Sequence, residues 1–169
     1  TFFIEGGGLA VENALKVAFD WKRRKNLAKG SSVKGEKVIH FKQCFHGRTG
    51  YTMSLTDSPD KRKTMYFPKF DWPRVTNPKI TFPLKDNLEH VQELERQSLH
   101  EIKEVIAANP DNIASIILEP IQGEGGDNHF RCEYMKALRE IADENDIMLI
   151  YDEVQTGIGV TGKMWAHQH

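Results

Sequence analysis

The 169-residue chain contains few of the residues from which disulfide-linked or metal-stabilised folds are built. It has two cysteines, Cys44 and Cys132, which are far apart and form no CxxC pair. Seven histidines are scattered along the chain, and the closest pair, His167 and His169, has no third ligand beside it. A disulfide framework, a zinc site or any other metal site is therefore not predicted.

Long apolar runs and an excess of charge of one sign are also missing. No stretch approaches the roughly 20 apolar residues of a membrane helix, and no signal-peptide pattern opens the chain. The 23 basic and 24 acidic residues give a net charge of −1, which offers no support for a nucleic-acid partner. The basic run from Trp21 to Lys25 is interpreted as a solvated helix end in preference to a phosphate-backbone site. We expect a cytoplasmic protein with no membrane or nucleic-acid partner.

The order of the apolar patterns predicts a single α/β domain with a mostly parallel sheet. Helical spacing runs from Leu9 to about Leu27, from Asn87 to Ala108 and from Cys132 to Asn145, and Gly30-Ser31-Ser32 is expected to end the first helix. Strand character is found in residues 37–41, 114–118 and 147–151. Alternating strands and helices predict right-handed crossovers, with helices on both faces of the sheet. The proline-rich stretch 58–83 is predicted to be irregular and anchored by aromatic side chains.

Polar groups stand where the predicted strands end, which is where parallel sheets bind ligands. Gly6-Gly7-Gly8 precedes a helix, and such a start suits an anion, although a glycine run is also typical of a plain turn. Phe45-His46-Gly47-Arg48 follows the strand at 37–41. The Phe45 ring is suited to stack on a flat ligand, and the Arg48 guanidinium is suited to hold a carboxylate. A core phenylalanine with a surface histidine and arginine remains the alternative.

Three carboxylates follow the other two strands. Asp152 closes the apolar run at 147–151, where a buried charge costs free energy unless it meets a cation or hydrogen-bond donors. A protonated pyridine nitrogen is one such cation, and a helix N-cap or a structural ion pair remains an alternative. Glu119 and Glu124 lie on a glycine-rich loop. Acid–base work, binding of a cationic substrate and plain solvation all remain open for this pair.

Taken in chain order, these motifs closely resemble the class III aminotransferases of pyridoxal-phosphate (PLP) fold type I. The resemblance covers essentially the whole chain as the central part of the family's large domain. Residues 6–16 and 67–74 look most like the lysine 6-aminotransferases, which implies transfer of the terminal amino group of L-lysine to 2-oxoglutarate through PLP. Ornithine and 4-aminobutyrate aminotransferases remain alternatives, and so does a non-catalytic α/β ligand-binding module.

The resemblance implies how PLP is held. Gly7 and Gly8 match the backbone donors to its phosphate. Phe45 looks like the ring that stacks on the pyridine face, and His46 lies beside it. Gln155 matches the residue that reaches the phenolic oxygen of the ring.

The resemblance also implies where the chemistry takes place. Asp152 matches the catalytic aspartate that pairs with the pyridine nitrogen, and Glu119 matches a glutamate close to that aspartate and the cofactor. Arg48 is similar to the arginine that grips the α-carboxylate of lysine and of 2-oxoglutarate. Glu124 looks like the glutamate that pairs with a distant arginine and switches between the two substrates.

One residue of the family pattern is expected to lie outside the chain. The Schiff-base lysine of the family follows shortly after the last residue, and Lys163 occupies a stretch that the family places on a surface turn. We therefore expect residues 1–169 to be a partial PLP-binding large domain, inactive alone, with the lysine segment and a small C-terminal domain elsewhere. Family members are homodimers whose sites take residues from both subunits, so a homodimer is expected.

Overall fold

A parallel sheet of four strands forms the centre of the computed structural model, which describes residues 1–31 and 33–169. The helices are α1 (Gly7–Ala28), α2 (Thr52–Leu55), α3 (Leu84–Ala108) and α4 (Cys132–Glu144). The strands are β1 (Lys37–Phe41), β2 (Arg74–Val75), β3 (Ile113–Leu118), β4 (Ile121–Gln122), β5 (Asn128–His129) and β6 (Met148–Tyr151). Short 3₁₀ helices cover Lys61–Lys63 and Ala166–Gln168.

The strand order β2-β1-β3-β6 brings the ends of three strands to one edge. All three pairings in this sheet are parallel, with Ile39 opposite Ile116 and Leu118 opposite Tyr151. The segments that follow β1, β3 and β6 therefore leave the sheet on the same side. A separate antiparallel pair, β4 and β5, folds the glycine-rich loop after β3 into a small hairpin.

The two faces of the sheet are covered by different helices because successive side chains of a strand point to opposite faces. Ile39 and Ile116 pack in a core with residues of α3 and α4, such as Ile102 and Leu138. Their neighbours along the strands, including Ile117, pack on the other face in a smaller core with α1 and α2. The prediction of an α/β fold with helices on both faces is confirmed.

Burial separates the central strand from the edge strand. Every residue of β3 is buried, as its continuous apolar run predicts, whereas all four residues of β6 are partly exposed. In the described part of the chain, β6 has β3 as its only neighbour in the sheet. The predicted strand at 147–151 does form, and Ile147 just before it is buried.

Helix α1 differs from its sequence prediction at its start, and it ends at Ala28, next to the predicted end at about Leu27. Gly7 and Gly8 lie inside its first turn, two residues before the predicted start. Gly30 adopts φ 69° beyond its last residue, while Ser32 of the predicted stop signal lies outside the described residues. In the basic run 21–25, Arg23 and Arg24 are exposed, as a solvated helix end predicts, but Lys22 is not. Lys22 is buried, and its ammonium donates to the carbonyl oxygens of Asn145 and Asp146 at 3.2 and 2.8 Å.

Local signals explain the remaining differences. Helix α3 begins at Leu84 instead of Asn87, because Pro83 is extended and the chain turns helical directly after it. The hairpin of β4 and β5 has only two residues in each strand, too few for an alternating pattern to show. The stretch 58–83 is anchored by stacking of Phe70 on Trp72, with ring centroids 5.0 Å apart, as predicted, but it is not wholly irregular, because it contains a 3₁₀ helix and the edge strand β2. Among the described residues, no helix is long and apolar enough to cross a membrane, and no group of three ligands is placed to hold a metal ion.

Candidate active site

A cavity of about 80 Å³ lies at the edge of the sheet where β1, β3 and β6 end. It contacts all seven residues predicted to bind the cofactor, namely Gly7, Gly8, Phe45, His46, Glu119, Asp152 and Gln155. Gly47, Ile121 and Val154 complete its wall. By a comparable measure one water molecule needs roughly 10–15 Å³, so the cavity accepts several atoms of a ligand.

A much larger groove of about 1040 Å³ runs along the outer face of α1. Its wall is mostly apolar, formed by side chains such as Phe2, Ala14, Val17 and Trp21, with charged groups such as Lys16 beside them. It contains no buried acid or imidazole, whereas the small cavity contains both. The small cavity is therefore the candidate active site, since chemistry depends on convergent polar groups and not on volume.

The acidic wall of the cavity is a buried pair. Strand β6 delivers Asp152, whose backbone N–H donates to Leu118 O at 2.9 Å and so extends the sheet by one residue. His46 Nδ1 lies 2.7 Å from Asp152 Oδ2, and the two side chains are 0% and 4% exposed. Asp152 Oδ1 accepts from Val154 N at 3.1 Å. The ion pair that remained an alternative for Asp152 does form, and its partner is a residue that also faces the cavity.

His46 is held in its charged form by this environment. Burial lowers the pKa of His46, but the neighbouring Cys44 and the hydrogen bond to Asp152 outweigh it and raise the pKa to about 10. Its other ring nitrogen, Nε2, is buried and has no hydrogen-bond partner among the described residues. An imidazolium beside Asp152 fixes the orientation of that carboxylate.

Glu119 joins the exits of β3 and β1. Its Oε2 accepts from the backbone N–H of Phe45 at 2.9 Å, and the residue is 4% exposed. Burial raises the pKa of Glu119 to about 7, with the nearby charge of Asp152 adding to the shift and His46 opposing it. The hydrogen bond positions the Phe45 ring against the cavity.

The glycines on the opposite wall are required by close packing. A Cβ on Gly7 would lie 2.8 Å from a methyl group of Val154, and one on Gly47, which has φ 115°, would lie 3.0 Å from Gly8 Cα. Gln155 lies so close to the glycine-rich loop that a Cβ on Gly123 would lie 2.1 Å from its Oε1. The backbones of three loops therefore meet around the cavity.

The start of α1 also has the properties of an anion site. Gly6 caps the helix without a side-chain hydrogen bond, and the first turn holds no acidic residue. The first helical bond is from Ala10 N to Gly6 O, so the N–H groups of Gly7 and Gly8 have no helical acceptor. Both glycines face the cavity, and the positive end of the helix dipole favours a phosphate there.

The two predicted substrate-binding residues lie outside the cavity wall. Arg48 is exposed and has no hydrogen bond or ion pair within the described residues. Glu124 is bound by two groups that the sequence analysis missed: its Oε1 accepts from Ser58 Oγ at 2.6 Å and pairs with the ammonium of Lys63. The only sequence signal for Lys63 is its place in a run of three cations. Lys163 is exposed on a turn, as expected.

Comparison with known proteins agrees with this geometry. The model of the family described as "Aminotransferase class-III" matches residues 1–169. The chain belongs to the class-III aminotransferase family. These aminotransferases are PLP-dependent, and the predicted family is confirmed.

Within the class-III family, relatives that match nearly the whole chain are named lysine aminotransferases. The chain is 48% identical to an L-lysine-epsilon aminotransferase of Amycolatopsis lactamdurans and 51% identical to one of Mycobacterium tuberculosis, over 99% of this chain and 37% of each relative. A solved lysine aminotransferase from M. tuberculosis in the internal aldimine form matches with a TM-score of 0.95 and 50% identity, covering 99% of this chain and 38% of that one. The chain thus spans a little over a third of the length of these relatives.

The residues that line the candidate active site fit PLP. Free N–H groups at the start of α1 suit the phosphate, and the half-buried Phe45 presents an aromatic ring to the cavity. The Asp152 carboxylate offers an acceptor for the pyridine nitrogen, and the buried Nε2 of His46 has no hydrogen-bond partner among the described residues.

Proposed function

We propose that the protein containing this chain moves the terminal amino group of L-lysine to 2-oxoglutarate by means of PLP. The proposal is supported by relatives named L-lysine-epsilon aminotransferase, which match nearly the whole chain at about half identity. A relative named 4-aminobutyrate aminotransferase, from Homo sapiens, is 35% identical over 96% of this chain, which supports the alternative donor less strongly.

The observation that carries the proposal is the buried pair of Asp152 and His46 at the floor of a cavity lined by Phe45. When bound, PLP supplies the electron sink of transamination, provided that its ring nitrogen keeps a proton. Asp152 would hold that proton, because a hydrogen bond from a charged donor to a carboxylate is strong. The hydrogen bond that Asp152 Oδ1 accepts from Val154 N fixes the plane of the carboxylate group.

The remaining wall residues would position the cofactor. Gly7 and Gly8 would donate their N–H groups to the phosphate, and Phe45 would stack on the ring. Gln155, which is exposed at the cavity and has no hydrogen-bond partner among the described residues, would reach the phenolic oxygen. Glu119 would set the orientation of Phe45 through its hydrogen bond to the Phe45 amide.

Substrate binding would use the rim of the cavity. Arg48 follows Gly47 of the wall, and its exposed guanidinium is available to a carboxylate, which it would grip in bidentate fashion. Lysine held in this way would present its terminal amine, and not its α-amine, to the cofactor. Glu124 would adjust the rim between the donor and the acceptor.

We further propose that residues 1–169 form part of a PLP-binding large domain in a cytoplasmic homodimer. The Schiff-base lysine and a small C-terminal domain would be supplied from outside this chain. The apolar groove along α1, with exposed side chains such as Phe2 and Val17, is a surface suited to contact with a further domain or a second subunit. The free thiols of Cys44 and Cys132 agree with a reducing compartment.

The proposal is tested with the full-length protein loaded with PLP. L-Lysine, L-ornithine and 4-aminobutyrate are compared as donors to 2-oxoglutarate, and kcat/KM is measured for each. Lysine is expected to exceed the other two by roughly tenfold or more, equivalent to about 1.4 kcal/mol of transition-state binding. A preference for another donor would replace lysine within the same family. A full-length protein that neither acquires the yellow absorbance of bound PLP nor transfers an amino group would instead be a ligand-binding module.

A further inference from the structure

A buried amide side chain joins the loops behind the candidate active site. Gln122 is 0% exposed and belongs to β4 of the short hairpin. Its Oε1 accepts from Asn77 Nδ2 at 2.7 Å and from Asn128 Nδ2 at 2.9 Å. Its Nε2 donates to Lys42 O at 3.1 Å. One side chain therefore connects the hairpin to the segments that follow β1 and β2.

The hairpin also packs directly on the segment after β1. A Cβ on Gly125 would lie 1.9 Å from Gln43 O, so only glycine allows this approach. Asn128 Nδ2 donates to Gly125 O at 3.1 Å as well as to Gln122. Asn77 Nδ2 likewise donates to Gln43 Oε1 at 3.0 Å. Hydrogen bonds thus fix both strands of the hairpin behind the cavity.

The neighbours of Gln122 along the chain face the site while Gln122 itself does not. Successive side chains of a strand point to opposite faces. Ile121 contributes to the wall of the cavity, and Gly123 lies against Gln155, whose Oε1 would be 2.1 Å from a Cβ on that glycine. Because Gln122 and Gly123 are consecutive, the hydrogen bonds that hold one also hold the other.

Gln155 lacks hydrogen bonds of its own. Its side chain is exposed and has no hydrogen-bond partner among the described residues, so packing orients its amide group. From these contacts we propose that Gln122 is a positioning residue, which holds Gly123 against Gln155 and so directs the Gln155 amide to the phenolic oxygen of PLP. The inference rests on the proposed function, in which Gln155 reaches that oxygen.

The test uses the full-length protein, from which PLP is removed and then added back. The dissociation constant of PLP is measured by absorbance titration for the wild type, Gln122→Met, Gln155→Ala and the double variant. Methionine keeps the length of glutamine without its amide donors and acceptor. Asn26→Leu is the matched control at the far end of α1, because Asn26 is 2% exposed and donates to the carbonyl oxygens of Lys34 and Asp111 at 2.9 and 2.8 Å.

Gln122→Met and Gln155→Ala are each expected to weaken PLP binding by roughly 3–10-fold, the size of one hydrogen bond. Because both changes remove the same contact, the double variant should match Gln155→Ala within about twofold, and the two losses should not multiply. The pH at which the absorbance of bound PLP changes should shift in the same direction in both single variants. Asn26→Leu should lose stability and show neither effect.

A milder second variant guards against misfolding, since Gln122→Met leaves two buried amides without their acceptor. Asn128→Ala removes one of the two donors to Gln122 and keeps Gln122 itself. It should weaken PLP binding by about twofold when Gln155 is present, and have no further effect in the Gln155→Ala protein.

Losses that multiply in the double variant would overturn the inference, because Gln122 would then act independently of Gln155. An unchanged PLP affinity in Gln122→Met would overturn it too, and so would an equal loss in Asn26→Leu. A wild type that binds PLP but does not transaminate lysine would overturn the proposed function alone, whereas a wild type that binds no PLP would overturn both.

Discussion

Two aspartates flank strand β6, and their surroundings differ in almost every respect. Asp146 stands in the turn before the strand and pairs with Lys25 and Lys29 of α1, with 30% of its side chain exposed. Asp152 follows the strand and is 4% exposed beside His46. One strand thus carries the same residue type in a surface ion pair at one end and in a buried pair at the other.

The comparison shows how position along a parallel sheet separates stability from chemistry. Hydrogen bonds from Lys25 and then Lys29 lower the pKa of Asp146 to about 2, so this group is charged at any ordinary pH and only fastens α1 to the turn. At the other end, His46 and Glu119 have pKa values raised to about 10 and about 7. Burial raises the pKa of Glu119, whereas Cys44 and Asp152 raise that of His46 against its burial. Buried groups with shifted pKa values are typical of functional sites.

The largest difference in activity is expected when aspartate is replaced by asparagine at each end of β6. Asp152→Asn in the full-length protein should lower kcat/KM roughly 10³-fold, about 4 kcal/mol, because a neutral amide does not hold the proton on the pyridine nitrogen. Asp146→Asn should keep wild-type activity. Steady-state kinetics measure both, and circular dichroism checks the fold. Wild-type turnover in Asp152→Asn would remove the proposed role of this residue.

The next difference concerns the histidines that face carboxylates. His46→Leu leaves Asp152 as an uncompensated buried charge, so the free energy of unfolding should fall by about 3 kcal/mol or more. His167→Leu breaks a contact of 2.6 Å with Glu153, but His167 is 46% exposed, and the loss should stay below about 1 kcal/mol. Urea titration of the full-length variants gives both values, and equal losses would contradict the comparison.

A smaller effect of opposite sign is expected at Glu119. Its pKa is raised in the folded state, so the folded protein binds the proton more tightly, and stability falls as the pH rises from about 4.5 to about 7. Glu119→Gln should remove this fall, gaining on the order of 1–3 kcal/mol at pH 8 and nothing at pH 4.

Thermal unfolding of Glu119→Gln at the two pH values is the measurement. Glu153→Gln serves as the control, since the pKa of Glu153 is lowered by hydrogen bonds from His167 and Ala166 despite its burial. Relative to the wild type, Glu153→Gln should become less stable as the pH rises, which is the opposite of the change expected for Glu119→Gln. A Glu119→Gln variant that is less stable than the wild type at pH 8 would show that the charged form is favoured after all.

The smallest effect is expected at Asp146. Because its folded pKa is depressed, its contribution to stability is present above the unfolded pKa of about 3.9 and is lost as the pH falls towards about 2. Asp146→Asn should therefore cost less than about 1 kcal/mol at pH 7 and nothing at pH 2. A salt titration at pH 7 sharpens the test, because screening should abolish the difference between wild type and variant.

The parts of the molecule that the sequence predicts well are those with strong local patterns. The run from Ile113 to Leu118 is apolar except for Ser115, so both the buried strand and the carboxylate at its exit can be found from the sequence alone. Asp152 follows the same logic after β6. Five of the seven residues predicted to bind the cofactor follow β1, β3 or β6, which end at the same edge of the sheet, and the other two, Gly7 and Gly8, open α1.

Long-range pairings could not be predicted from local pattern. The partner of Asp152 is 106 residues away, and that of Glu124 lies in an irregular segment 61 residues away. The basic run predicts an exposed Lys22, because lysine side chains near a helix end normally reach solvent. Two carbonyl oxygens beyond the end of α4 instead accept hydrogen bonds from its buried ammonium group. In each case the tertiary fold, and not the spacing, supplies the partner.

The connectivity of the sheet also constrains how the protein can be assembled on the ribosome. Strand β1 pairs with β3, and β3 pairs with β6, each across a long crossover, and such non-local pairing folds slowly. A nascent chain emerges at roughly 5–20 residues per second, amino end first. Because Asp152 follows β6, the first turn of α1 must wait until β6 has been translated before the opposite wall of the cavity exists. Capture of a small molecule by this cavity therefore cannot precede the synthesis of β6, and a stalled translation product ending before β6 should lack the ability altogether.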